Sequence, residues 1–149
     1  MALPPEVKAE LALAMPGVQS GLDRHEWIKH GTCSGLTAGE YYLLSTRLLA
    51  ELNASEVRAL FAGNVGRELD EASIRRAFDK SFGKGAGDWV KMQCKRDGDR
   101  RIITELTIGL SGEVTAANGD AGSLAGAMAR AGRTSFGCPS AIVDPVGLQ

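Results

Sequence analysis

His25-Glu26-Trp27-Ile28-Lys29-His30-Gly31-Thr32-Cys33 holds both histidines of the 149-residue chain. Drawn as a helix at about 100° per residue, His25, Lys29, Glu26 and His30 fall near roughly 0°, 40°, 100° and 140°, with Trp27 and Ile28 near roughly 200° and 300°. Four ionisable groups share one face, and two apolar side chains anchor the other. The plainest account is a solvated helix face carrying a Glu26/His30 pair one turn apart. Collecting both histidines beside a carboxylate and an amine argues for more than that.

Outward from this stretch the chain reads as one α+β domain over 1–149. On the N-terminal side, Pro4–Met15 has an early proline and apolar Val7, Leu11 and Met15, predicting a short helix closed by Pro16-Gly17. Asp23 is placed as the cap of a second helix starting near Arg24. On the C-terminal side, Thr37 and Glu40 form a capping box opening an apolar helix over Tyr41–Leu52, with Leu44, Leu48 and Leu52 on one face. Asp70–Phe82 repeats the helical spacing through Ile74, Ala77, Phe78 and Phe82, and Gly83 ends it. Strands are predicted at Trp89–Cys94, at Arg101–Leu110 with Ile102, Leu106, Ile108 and Leu110 on one side, and at Ala141–Val143. Ser111–Gly137 is a Gly-, Ala- and Ser-rich connection with at most a weak helix at Leu124–Arg130. Helices early and strands late give α+β rather than alternating units, with the strands in an antiparallel sheet.

Composition narrows the function. Hydrophobic residues at 44% and charged residues at 23% are ordinary for a globular domain, and no apolar run approaches the ~18 residues of a membrane span. A domain of this length buries roughly 68–70% of its unfolded surface. The net charge of −1 excludes a global basic field, so any nucleic-acid contact is local. The start, Met1-Ala2-Leu3-Pro4-Pro5-Glu6, lacks the basic and long apolar parts of a secretory signal.

The motif invites two chemistries. Zinc proteases set two histidines one turn apart in His-Glu-x-x-His, but here the second histidine is one position late and Lys29 stands where the ligand belongs, so no metal is expected. RNA cleavage through attack of the ribose 2′-OH on its own phosphate needs a base, an acid and positive charge for the crowded phosphorane. Histidine serves either proton role near neutrality, lysine is a point charge for phosphate oxygens, and a carboxylate orients or polarises.

The string His25-Glu26-Trp27-x-Lys29-His30-Gly31-Thr32-Cys33 resembles the second active-site motif of the ribonuclease T2 family. Pro16-Gly17, the Tyr41–Leu52 helix, the Phe78–Gly83 turn and the Lys91–Cys94 strand are similar to bacterial periplasmic members. The resemblance implies His30 as a catalytic acid/base, Glu26 and Lys29 as the pair that polarises the phosphate, and His25 as a phosphate contact. It also implies cleavage of single-stranded RNA through a 2′,3′-cyclic phosphate, with little base preference, no metal and no cofactor, in the periplasm or outside the cell.

The family's first motif, of the form His-Gly-Leu-Trp-Pro, has no counterpart here, and its histidine is the other acid/base. The expectation is therefore a T2-type domain shortened at its N-terminus, without the strands and first histidine, and impaired in cleavage. A non-catalytic T2-like protein that binds RNA or another partner is the alternative. Three cysteines fit the shortening: by resemblance Cys94 and Cys138 bridge each other, closing a loop of about 45 residues worth roughly 3–4 kcal/mol, while Cys33 lacks its partner. Lys80, Lys84, Lys91, Lys95, Arg96, Arg100 and Arg101 form a locally basic stretch that reads as solvated surface, with a role in holding RNA as the sharper alternative. Gly83-Lys84-Gly85-Ala86-Gly87 lacks the spacing of a phosphate loop and reads as a turn. Trp27 and Trp89 are placed in the core, and Tyr41 and Tyr42 receive no role.

Overall fold

The computed structural model describes residues 1–110, 123–128 and 134–145, so most of the Ser111–Gly137 connection lies outside the described residues. Pro5 opens α1 (Pro5–Ala14), whose apolar spacing buries Val7 and Leu11. A 3-10 turn at Pro16–Ser20 leads into α2 (Leu22–Lys29), and a second at Gly31–Cys33 follows it. The capping box then forms as the sequence predicts: the Thr37 amide donates to Glu40 Oε2 at 2.8 Å and the Glu40 amide to Thr37 Oγ1 at 3.3 Å, starting α3 (Ala38–Asn53). These bonds to Thr37 hold the Glu40 carboxyl below its ordinary range.

Ser55 caps α4 (Glu56–Gly63), accepting from the Val57 amide at 3.2 Å. No helix is predicted there, although Val57, Leu60 and Phe61 carry helical spacing and all three pack on the main core. Asp70 ends the short strand β1 (Glu68–Asp70) and caps α5 (Glu71–Phe82), accepting from the Ser73 amide at 2.7 Å; Gly83 closes the helix at φ +103°. Ile74 and Phe78 are fully buried, as their spacing requires. A 3-10 turn at Ala86–Trp89 takes up Trp89, so β2 starts one residue later than predicted, at Val90, and runs to Asp97. It pairs with β3 (Arg100–Ile108); α6 (Leu124–Met128) and β4 (Ser140–Ile142) complete the described elements.

The sheet has the order β1-β4-β3-β2. β1/β4 and β2/β3 are antiparallel, as expected, while β3/β4 is parallel through Ile102 and Ile142. In β3 the predicted alternation breaks midway. Gln93 pairs with Glu105 but Cys94 pairs with Ile103, so Thr104 is an extra residue. This bulge shifts the pleat by one, and Ile103 joins Leu106 and Ile108 against the core where strict alternation would have put Ile102.

Two apolar clusters result. The larger one joins α5, β2, α6, Phe136 and Ala141. The smaller is built on Val7, Leu11 and Tyr42, with Met15, Val18, Trp27 and Tyr41 packed round it. α3 belongs to both, through Tyr41 and Tyr42 at one end and Leu48 and Leu52 at the other. The expected Cys94–Cys138 disulfide is present, and Cys33 is an exposed free thiol. Beside the bridge Gly137 sits at φ +97°, where a Cβ would stand 2.3 Å from the Met92 carbonyl oxygen, so only glycine allows the 136–138 segment to lie on β2.

Candidate active site

α2 starts from Gly21 at φ +79° rather than from a capping Asp23, whose contribution is its backbone carbonyl. His25, Glu26 and Lys29 lie on α2, and His30 is the residue that leaves it, with φ −124° and ψ −39°. The helical wheel therefore misplaces His30 by a backbone turn. Its amide still donates to the Glu26 carbonyl at 2.9 Å, and its side chain comes back over the helix, Nε2 standing 3.7 Å from Glu26 Oε2. The His30 side chain is 52% exposed and that of Glu26 33%. His25 and Lys29 are exposed, without an ion pair to a described residue. Of the four, then, Glu26 and His30 are brought together, beside two accessible cationic or ionisable neighbours on the same short segment.

The apolar side of the motif divides. Ile28, expected as an anchor, is 70% exposed. Trp27 alone anchors, its ring edge-on to Tyr41 with centroids 5.7 Å apart. Gly31 is buried against that ring, and a Cβ there would stand 2.2 Å from Trp27 Cε3. The glycine after His30 is thus a packing requirement, because any side chain would push the indole off Tyr41. Thr32 Oγ1 donates to the Ile28 carbonyl at 3.1 Å and Ser34 Oγ to the Gly31 carbonyl at 2.5 Å, holding the turn closed.

Two residues without a sequence-level role finish the mounting. Tyr41 and Tyr42 contact each other edge-on at 5.1 Å, and the buried Tyr42 hydroxyl donates to the Asp23 carbonyl. Burial, then the neighbouring Tyr41, Asp23 and Glu26, push the Tyr42 phenol up to about 12, with the Trp27 backbone N–H acting the other way. The hydroxyl therefore meets α2 at the Asp23–Trp27 step, the turn that encloses His25 and Glu26. Burial and the Glu26 charge likewise raise Tyr41. A hollow of about 130 Å3 runs from Glu26 past Tyr41 and Tyr42 to Ser45 and Leu49. The signal was in the sequence: Tyr41 stands three residues before Leu44 and so continues the apolar stripe of α3.

The sign of the pH effect follows. A phenol raised above its unfolded value stabilises the fold below that value, and the contribution disappears as pH rises through about 10 toward about 12. Tyr42→Phe is expected to flatten this alkaline loss of stability and to loosen α2 at neutral pH, which urea midpoints taken across that range would show.

Among the described residues no group of three or more His, Cys, Asp or Glu side chains is placed to hold a metal ion. No described helix is long and apolar enough to cross a membrane. An exposed imidazole 3.7 Å from a carboxylate, with a lysine next to it in sequence, is suited to moving protons at a charged, solvent-facing substrate.

No family model matches the chain. Over 110 residues it is 34% identical to Ribonuclease I of Escherichia coli (strain K12), a stretch that is 72% of this chain and 40% of that protein. The chain thus spans well under half the length of the curated relative it matches, and over most of its own length it is similar to a ribonuclease.

Proposed function

We propose that the chain is the part of an endoribonuclease that carries one of its two proton-transfer groups, acting on single-stranded RNA through a 2′,3′-cyclic phosphate. The observation that carries the reading is the exposed His30 imidazole at 3.7 Å from Glu26, one residue after Lys29. The motif's resemblance to the ribonuclease T2 family and the similarity to Ribonuclease I support it. In this reading His30 is the acid or base, giving a proton to the departing 5′-oxygen or taking one from the 2′-hydroxyl. Lys29 supplies positive charge to the phosphorane oxygens, Glu26 keeps the imidazole oriented and polarises the phosphate, and His25 is a further phosphate contact. No metal or cofactor enters the scheme, and nothing in it reads a base, so low base specificity goes with it. The disulfide suits an oxidising compartment such as the periplasm or the cell exterior.

One observation favours a second reading, a T2-like protein that binds RNA without cutting it. Attacking and leaving oxygens lie on opposite sides of phosphorus, so acid and base must flank it. Within these residues the only other imidazole is His25, on the same short segment as His30. Incubating the chain with end-labelled oligouridylate in EDTA separates the two. Products ending in a 2′,3′-cyclic phosphate support the enzyme, and RNA bound but intact supports the binder.

Lys29→Ala is expected to lower the single-turnover cleavage rate more than it weakens RNA binding, because the charge matters most when the phosphorane forms. A loss confined to affinity would remove Lys29 from the chemistry.

A further inference from the structure

Among the described residues the β2–β3 hairpin carries a cluster of cationic side chains, in a chain whose net charge is −1. From Val90 to Arg101 it has Lys91, Lys95, Arg96, Arg100 and Arg101 against Asp97 and Asp99. Arg100 is satisfied internally, by Asp97 across the turn and by Asp144 at 3.8 Å. Arg96 and Arg101 are not: they are direct cross-strand partners, both exposed, and neither has an ion pair with a described residue. Like charges facing each other in an antiparallel pair oppose the pairing, so this juxtaposition costs stability unless an anion joins it. Both arginines line a hollow of about 290 Å3, together with Glu68, Asp99, Arg100 and Ser140.

We propose that this hollow is a second RNA contact, in which Arg96 and Arg101 share one backbone phosphate of a single-stranded RNA. Guanidinium forks on two cross-strand partners that line one hollow can offer paired N–H donors to one phosphate, which lysines do not reproduce. The rim is not uniformly basic. Glu68 accepts from the Ser140 hydroxyl and retains acceptor capacity, and Asp99 adds a second carboxylate. These acceptors disfavour a bare polyanion and suit a ligand that brings hydroxyl donors next to its phosphate, which a ribose does. The assignment rests on RNA being the ligand of this protein, but not on His30 being catalytic.

The test measures binding of an oligouridylate to the full chain carrying His30→Phe, which keeps the RNA intact, across a range of salt concentrations. R96Q/R101Q in that background is expected to weaken binding about tenfold at low salt. It should also reduce the slope of log K against log salt by roughly 0.7, the value for one lost single-strand phosphate contact. The matched double variant K8Q/R58Q removes two exposed cations elsewhere and should change neither quantity. Removing the facing charges should leave the melting temperature equal or higher, which excludes unfolding as the cause. Unchanged affinity and slope in R96Q/R101Q would overturn the site, as would an equal loss in K8Q/R58Q, since binding would then be a diffuse charge effect. Cleavage persisting in His30→Phe would count against the catalytic reading alone. RNA binding that still depends on the arginine pair would leave this site standing.

Discussion

On the proposed reading, His30→Phe is expected to remove RNA cleavage while the protein stays folded. The phenyl ring fills the space of the imidazole but has no proton to give or take, and a positioned acid/base contributes about 10²- to 10⁴-fold to such a reaction. The fold loses little, because His30 is 52% exposed, sits at the end of α2, and has one side-chain contact to a charged group, the 3.7 Å approach to Glu26. Its backbone bond to Glu26 does not depend on the side chain. Cleavage rates in EDTA, beside near-ultraviolet circular dichroism of the Trp27–Tyr41 contact, check both halves. A folded and fully active His30→Phe protein would remove the proposed role.

Replacing both bridged cysteines, as Cys94→Ala with Cys138→Ala, is expected to lower the unfolding free energy by about 3–4 kcal/mol. The bridge joins residues 44 apart in sequence, and the unfolded chain is the state that gains most when the loop opens. Beside the bridge, the Met92 amide donates to the Phe136 carbonyl at 2.6 Å and the Cys138 amide to the Met92 carbonyl at 3.4 Å, which also hold the 136–138 segment on β2. Urea unfolding of the double variant beside the parent gives the difference directly. A change under about 1 kcal/mol would mean that the backbone bonds between Met92 and residues 136–138 suffice on their own.

What the sequence disclosed was what depends on near neighbours. α3 and α5 were legible because Thr37, Glu40 and Asp70 announce their starts and the apolar residues repeat at helical spacing. α4 was missed because one turn of apolar residues between two longer helices gives too short a pattern, although Ser55 marked its start. The phase of β3 was misjudged because a bulge is decided by the partner strand, and the parallel β3/β4 contact is equally a matter of distant pairing. At the candidate site the residue set His25, Glu26, Lys29 and His30 was visible, but its geometry was not. That His30 leaves the helix and that Ile28 faces solvent follow from how α2 lies on Trp27, Tyr41 and Tyr42, contacts no local spacing encodes.

The division of the interior into two clusters has a dynamic consequence. α2 rests on the smaller one, whose fully shielded part is Val7, Leu11 and Tyr42, while the disulfide and the sheet belong to the larger. Regions with few buried contacts open at lower free energy than the whole chain. Amide protons of α1 and α2 are therefore expected to exchange with deuterium well before those of β2 and α5, in openings that never reach global unfolding. In such openings the helix that bears His25 and leads into His30 is expected to release and reset while the cross-linked half stays shut.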